Sequence, residues 1–124
     1  NIVNKVAKEI QNFNIDCEVI DLQSLIPFDL SKNIYKSIIK TNRLMIIDED
    51  VPGGASSFIL QELLNNQDVY EHLDSKPCLV TAKEHRPAYG SDGDYISKPS
   101  FEDIFEEIYS VMNEANPAKF PSLY

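Results

Sequence analysis

Basic side chains are scarce over most of this chain. Residues 44–124 hold five Lys and Arg against fifteen Asp and Glu, whereas residues 1–43 hold six against five, and the whole carries −9 at neutral pH. Such an acidic surface repels nucleic-acid phosphates and anionic lipid headgroups, so neither a nucleic acid nor a membrane is an expected partner. A basic protein partner suits it better, with plain solvation as the simpler alternative. Long apolar runs are also missing, and nothing approaches the roughly 20 residues of a membrane span. No charged-then-apolar leader opens the chain. A helical pattern begins at once after Asn1, so the sequence reads as a piece of a longer polypeptide.

Cysteine and histidine are equally thin, two of each. Cys17 and Cys78 lack framework spacing, which points to a reducing compartment and leaves a single disulfide open. Each sits where a strand-like run starts, a place where a small apolar thiol packs well. His72 and His85 have no ligand spacing with each other or with the thiols, so no metal site is expected. No Ser/His/Asp, Cys/His or phosphate-loop set stands out, and no catalytic residues are assigned.

What is present is a pattern of short apolar runs between amphipathic stretches. Ile2, Val6, Ile10 and Phe13 predict a helix over residues 2–13, stopped by Asn14. Cys17–Leu22 reads as a strand. Ser24–Asp29 is a connection in which Pro27 blocks helix continuation. Ser31 is placed to cap a second helix with Ile34, Ile38 and Ile39 inward; Lys32, Lys36 and Lys40 form a basic ridge outside. Leu44–Asp48 is a short continuous apolar run of the kind that is buried on both faces. After the turn through Pro52, Gly53 and Gly54, a third helix runs through Ala55, Phe58, Ile59 and Leu63, fading near Asn65. A helical turn over Val69–Leu73 and a third strand over Leu79–Thr81 follow. Residues 83–99 read as a long polar loop. Ser100 and Asp103 make a capping box for the last helix, whose Phe101, Ile104, Phe105, Ile108 and Met112 share one face. Residues 115–124 form a surface tail. At 124 residues the expectation is one domain over 1–124. Helices alternating with short buried strands predict a three-layer α/β/α sandwich on a mostly parallel sheet.

Three stretches invite chemistry. The Gly53–Gly54 turn opens a helix whose free N–H groups can receive an anion, but Asp48, Glu49 and Asp50 oppose one, and a tight positive-φ connection explains the glycines equally. The same acids, with Lys83, Thr81 and Asp21, suggest a phosphoacceptor receiver or an independent metal-binding domain as an alternative function, though the receiver's acid pair after the first strand is reduced to Asp21. The loop from Glu84 to Tyr95 sets His85 and Arg86 just beyond a strand, where functional groups collect; a surface loop with Arg86 paired locally is the other reading. Its Asp92-Gly93-Asp94 lacks the spacing and closing Glu of a calcium loop.

Glu18–Leu22 (EVIDL), Ser24–Asp29 (SLIPFD), Asn42–Glu49 (NRLMIIDE) and the Gly53–Gly54 pair together resemble the C-terminal transketolase-like domain of thiamine-diphosphate 2-oxoacid dehydrogenases. More narrowly they are similar to the β subunit, or β part, of the decarboxylating component of the pyruvate or branched-chain complexes. The resemblance spans nearly the whole chain. It departs at Asp50-Val51-Pro52, where the family has an aromatic-containing stretch, and at the long HRPAYGSDGDY loop.

The resemblance implies an oxidoreductase that decarboxylates 2-oxoacids and transfers the acyl group to lipoamide. It places thiamine diphosphate and Mg²⁺ in the parent enzyme, with none held by this piece, which alone would be inactive. Its implied partners are the other dehydrogenase subunits, in a homo- or hetero-oligomer, and the small basic binding domain of the acyltransferase. Partner contacts would fall at Glu71, Asp74 and Tyr124, and channel or interface contacts at Glu49, Gly53, Gly54, His85 and Arg86. The setting would be the cytoplasm, or the mitochondrial matrix in a eukaryote. The family also carries an earlier strand, inside the sheet, that this chain lacks. Val19–Leu22 and Leu44–Asp48 are therefore expected either to pair directly or to leave a gap filled by another chain.

Overall fold

The computed structural model describes residues 2–22, 32–48, 55–66, 68–85 and 95–123. They fall into two compact units, one from Asn1–Gln23 with Ser100–Tyr124 and one from Ser24–Pro99. The predicted Ser24–Asp29 connection and Gly53–Gly54 turn lie outside the described residues.

In the first unit, α1 (Ile2–Ile10) continues as a 3₁₀ turn over Gln11–Phe13 and stops at Asn14, which takes φ 63° and returns its N–H to the Gln11 carbonyl. Asn tolerates this left-handed conformation better than most residues, hence its value as a stop signal. Helix α4 (Phe101–Ala115) starts with the full capping box: Asp103 N–H donates to Ser100 Oγ at 3.1 Å, and Ser100 N–H donates to the Asp103 carboxylate at 2.9 Å. Two of the helix's orphan donors are thereby satisfied. The core joins Ile10 and Ile15 to Tyr109 and Phe120, with Cys17, Phe105, Ile108 and Met112 packed around them. Phe13 lies edge-on to both Phe105 and Tyr109, centroids 5.3 and 5.9 Å apart. Phe120 is buried, so the tail is anchored rather than merely laid on the surface.

The second unit holds α2 (Asn33–Thr41), β1 (Met45–Ile47), α3 (Ala55–Gln61), β2 (Cys78–Val80), β3 (Lys83–His85) and β4 (Tyr95–Ser97). Strands β1 and β2 pair in parallel with Ile46 opposite Leu79. Cys78 N–H to the Leu44 carbonyl and Asp48 N–H to the Val80 carbonyl extend the pairing past both ends. Its core includes Ile34, Ile38, Ile46, Leu63, Val69, Val80 and Ala82. Helices with a parallel strand pair make this an α/β fold.

Four expectations need correction. Residues 83–99 are not simply loop: β3 and β4 pair antiparallel, His85 opposite Tyr95. Strands of three residues are too short for alternation to show, and polar ones carry no hydrophobic signal at all. Residues 15–22 form no ladder among the described residues, because a strand exists only where a neighbour supplies N–H and C=O groups. The cap position of α2 is taken by Lys32, at φ 56° with no side-chain hydrogen bond, and Ser31 lies outside the described residues. Ile39 is 42% exposed while Ile34 and Ile38 are buried; at 3.6 residues per turn, Ile39 rotates about 100° off their shared face. The Lys32, Lys36 and Lys40 ridge is exposed, as its spacing requires. Past Gln61, α3 widens into a π turn over Glu62–Asn66, and Val69–His72 is a 3₁₀ turn.

Candidate partner-docking site

The 3₁₀ turn Val69–His72 assembles the clearest group of exposed functional side chains among the described residues. Val69 is fully buried and roots the turn, while Tyr70, the next residue, is 75% exposed. Burying one residue of a tight turn forces its neighbours toward solvent, and here those neighbours are an aromatic and an acid. The Glu71 side chain is 74% exposed and that of Asp74 is 62% exposed. Asp68 leads into the turn at φ 53°, and Leu73 leaves it in an extended conformation.

Asn42, at the end of α2, fixes this turn from behind. Its side-chain amide donates to the His72 carbonyl at 2.8 Å, and its own carbonyl accepts from Asp74 N–H at 2.8 Å. Nearby, the Tyr35 hydroxyl stands 3.5 Å from His72 Nε2, with the two rings edge-on at 5.8 Å. The Lys32 ammonium lies 5.6 Å from the Tyr35 centroid, a cation–π distance. Arg43 reaches Asp74 at 3.9 Å and His72 reaches Glu71 at 3.8 Å. The Arg43–Asp74 pair is long, with the acid side exposed, and such pairs contribute at most about 1 kcal/mol, so Asp74 remains available to a stronger cation; Glu71, 74% exposed, is open to solvent as well.

Glu71 and Asp74 are thus brought onto one exposed turn. Tyr70 was not singled out in the sequence; its only signal there is an aromatic set between acids in a turn. The other sequence-derived positions are less informative. His85 ends β3, and its side chain, like Glu49, Gly53, Gly54, Arg86 and Tyr124, lies outside the described residues. Asp48 follows β1 and Thr81 follows β2. Cys17 and Cys78 are not joined in a disulfide, and each is half-buried. Burial, and then the neighbouring Asp16 carboxylate, push the Cys17 thiol above its ordinary 9.0. Among the described residues no three His, Cys, Asp or Glu side chains gather to hold a metal ion, and no helix is long and apolar enough to cross a membrane.

Helices with a parallel strand pair define a small α/β chain, and its Val69–His72 turn exposes an aromatic beside an acid. The model of the transketolase C-terminal domain matches residues 1–97, and this chain belongs to that family. It is 32% identical over 110 residues to the pyruvate dehydrogenase E1 component subunit beta of Rickettsia conorii, covering 85% of this chain and 32% of that protein. It is 30% identical over 112 residues to the protein of that name from Mesostigma viride, covering 90% of this chain and 33% of that one. The mitochondrial counterpart in Caenorhabditis elegans is 28% identical over 112 residues, 90% of this chain and 31% of that one. The chain therefore spans about a third of the length of the curated relatives it matches. Membership in this family leaves the phosphoreceiver alternative without support.

Proposed function

We propose that this chain works as the C-terminal subunit-assembly and partner-docking domain of a 2-oxoacid dehydrogenase decarboxylating component, an oxidoreductase acting on pyruvate or a branched-chain 2-oxoacid. The observation that carries the reading is the pinned turn that exposes Tyr70, Glu71 and Asp74 together. An aromatic face beside two weakly paired carboxylates suits an arginine- or lysine-bearing surface, the aromatic through cation–π contact and the acids through charge-assisted hydrogen bonds. The partner is then the small basic binding domain of the acyltransferase. The charge of the 44–124 region steers its approach. In this reading Tyr124 is a further partner-contact residue, and Glu49, Gly53, Gly54, His85 and Arg86 are channel or interface residues.

Thiamine diphosphate and Mg²⁺ belong to the parent enzyme and are held outside this chain. When bound, the cofactor supplies the decarboxylation chemistry; this chain contributes contacts. Residues 1–124 act as one domain, a three-layer α/β/α sandwich on a mostly parallel sheet. The assembly is a homo- or hetero-oligomer of the cytoplasm or mitochondrial matrix.

The test is a titration of the full-length protein with the purified acyltransferase binding domain at increasing salt. Tight binding that weakens steadily with ionic strength, and that Glu71→Lys with Asp74→Lys abolishes, is expected. Absence of binding at low ionic strength ends the reading.

A further inference from the structure

We infer that His72 is a proton-operated switch in the Val69–His72 turn: uncharged, its ring is tied to the Tyr35 hydroxyl, and charged, it draws the Glu71 carboxylate away from the docking face. The inference rests on the docking reading above and names a regulation of that same site.

The ring stands between two alternative partners. Its Nε2 lies 3.5 Å from the Tyr35 hydroxyl and 3.8 Å from Glu71 Oε1. A neutral imidazole with its proton on Nδ1 offers Nε2 as an acceptor, which a phenol O–H can fill and an ionised carboxylate cannot. A charged imidazole offers Nε2–H as a donor instead, and a carboxylate takes that donor in preference to a phenol oxygen. One ring atom therefore changes partner when the ring changes charge. Imidazole is the side chain that does so between about pH 5 and 8.

The surroundings of the ring confine the change to side chains. Val69 is fully buried beneath the turn, and the Asn42 amide holds the His72 carbonyl at 2.8 Å. Tyr35 meets the imidazole edge-on, centroids 5.8 Å apart, and the Lys32 ammonium in turn lies 5.6 Å from the Tyr35 centroid. The His72 side chain is 30% exposed and that of Glu71 74%, so the acid is the partner with room to move. Other charged groups bias the ring without exchanging places on it. Asp68 leads into the turn, Asp74 follows it, and Glu62 comes from the π turn packed against it; these favour the charged ring. Helix α2, also packed against the turn, brings Lys32 through Tyr35, with Lys36 and Lys40 on its exposed ridge, and Arg43 beyond its end reaches Asp74; these oppose it.

The test joins two measurements on the full-length protein. Deuterium exchange at the imidazole carbon, read by mass spectrometry, follows the titration of His72. Glu71→Gln removes the partner of the charged ring and lowers the titration midpoint. Tyr35→Phe keeps the edge-on ring, removes the donor to the uncharged imidazole, and raises the midpoint. Shifts in one direction for both variants, or no shift in either, overturn the inference. Affinity for the acyltransferase binding domain is then compared at about pH 8 and about pH 5.5. Docking is up to about fivefold weaker at the lower pH, the range of one exposed ion pair. His72→Gln and Glu71→Gln reduce that ratio to the same residual value. A positive charge that merely repelled a basic partner would act with or without Glu71, so a ratio preserved in Glu71→Gln overturns the switch. Failure of the unmodified protein to dock at either pH overturns the docking reading and this regulation with it; opposite midpoint shifts beside a preserved ratio overturn the regulation alone.

Discussion

Replacing Asn42 separates two contributions that a single residue makes to the Val69–His72 turn. Asn42 sits at φ 63°, ψ 17°, takes the Ile38 carbonyl at 2.7 Å through its N–H, and reaches the His72 carbonyl at 2.8 Å through its side chain. Asn42→Gly keeps the left-handed backbone at no steric cost and deletes the side-chain hydrogen bond, a loss of about 1 kcal/mol. Asn42→Ala deletes the same bond and adds left-handed strain of roughly another 1 kcal/mol, for a total near 2. The reporter is the Asp74 amide, which donates to the Asn42 carbonyl. If local opening governs its exchange, the Gly variant exchanges about 5-fold faster than the unmodified full-length protein and the Ala variant about 30-fold faster. The order unmodified, Gly, Ala is the essential point. An Ala variant exchanging as slowly as the Gly variant refutes the claim that positive φ constrains position 42. If neither variant changes exchange at Asp74, Asn42 does not hold the turn.

Three further outcomes are expected. Ser100→Ala removes half of the capping box of α4 and costs about 1 kcal/mol, read as faster amide exchange in the first turn from Phe101 onward; unchanged exchange there refutes the cap. Ile10→Ala opens a cavity against Ile15, Tyr109 and Phe120 and costs about 2–5 kcal/mol, read as a lowered melting temperature with increased exchange over residues 116–123. The raised Cys17 ionisation links stability to alkaline pH. The unfolded chain gives up the thiol proton near the ordinary 9.0 while the folded chain still holds it. Its contribution is therefore complete below that pH and disappears as pH climbs through the folded value. Cys17→Ala should flatten this alkaline decline, and Cys17 should react with a thiol alkylating reagent more slowly than a free thiol peptide at pH 8.

Elements that signal themselves locally were the ones legible in advance. The capping box at Ser100 and Asp103 needs only its own four residues, and it is present with both hydrogen bonds. The stop at Asn14 and the outward Lys32, Lys36 and Lys40 follow from backbone preference and helical period alone. The short turn at Val69 was expected, and Glu71 with Asp74 was assigned to partner contact through the family resemblance. Tyr70 carries no comparable local signal, because its 75% exposure depends on Val69 being buried beneath it, and no local pattern encodes that.

Sequence by itself determined the helices, the apolar runs, the charge imbalance and the family, since each is written in composition or in residues close together along the chain. Tertiary structure alone decided which runs become strands. Met45–Ile47 became one by finding Cys78–Val80, whereas Cys17–Leu22 has no ladder among the described residues. A β-strand is completed by hydrogen bonds to a neighbour remote in sequence, so β propensity can nominate a segment without pairing it. The same holds for the anchored tail: only the folded chain brings the Tyr109 hydroxyl to the Pro121 carbonyl.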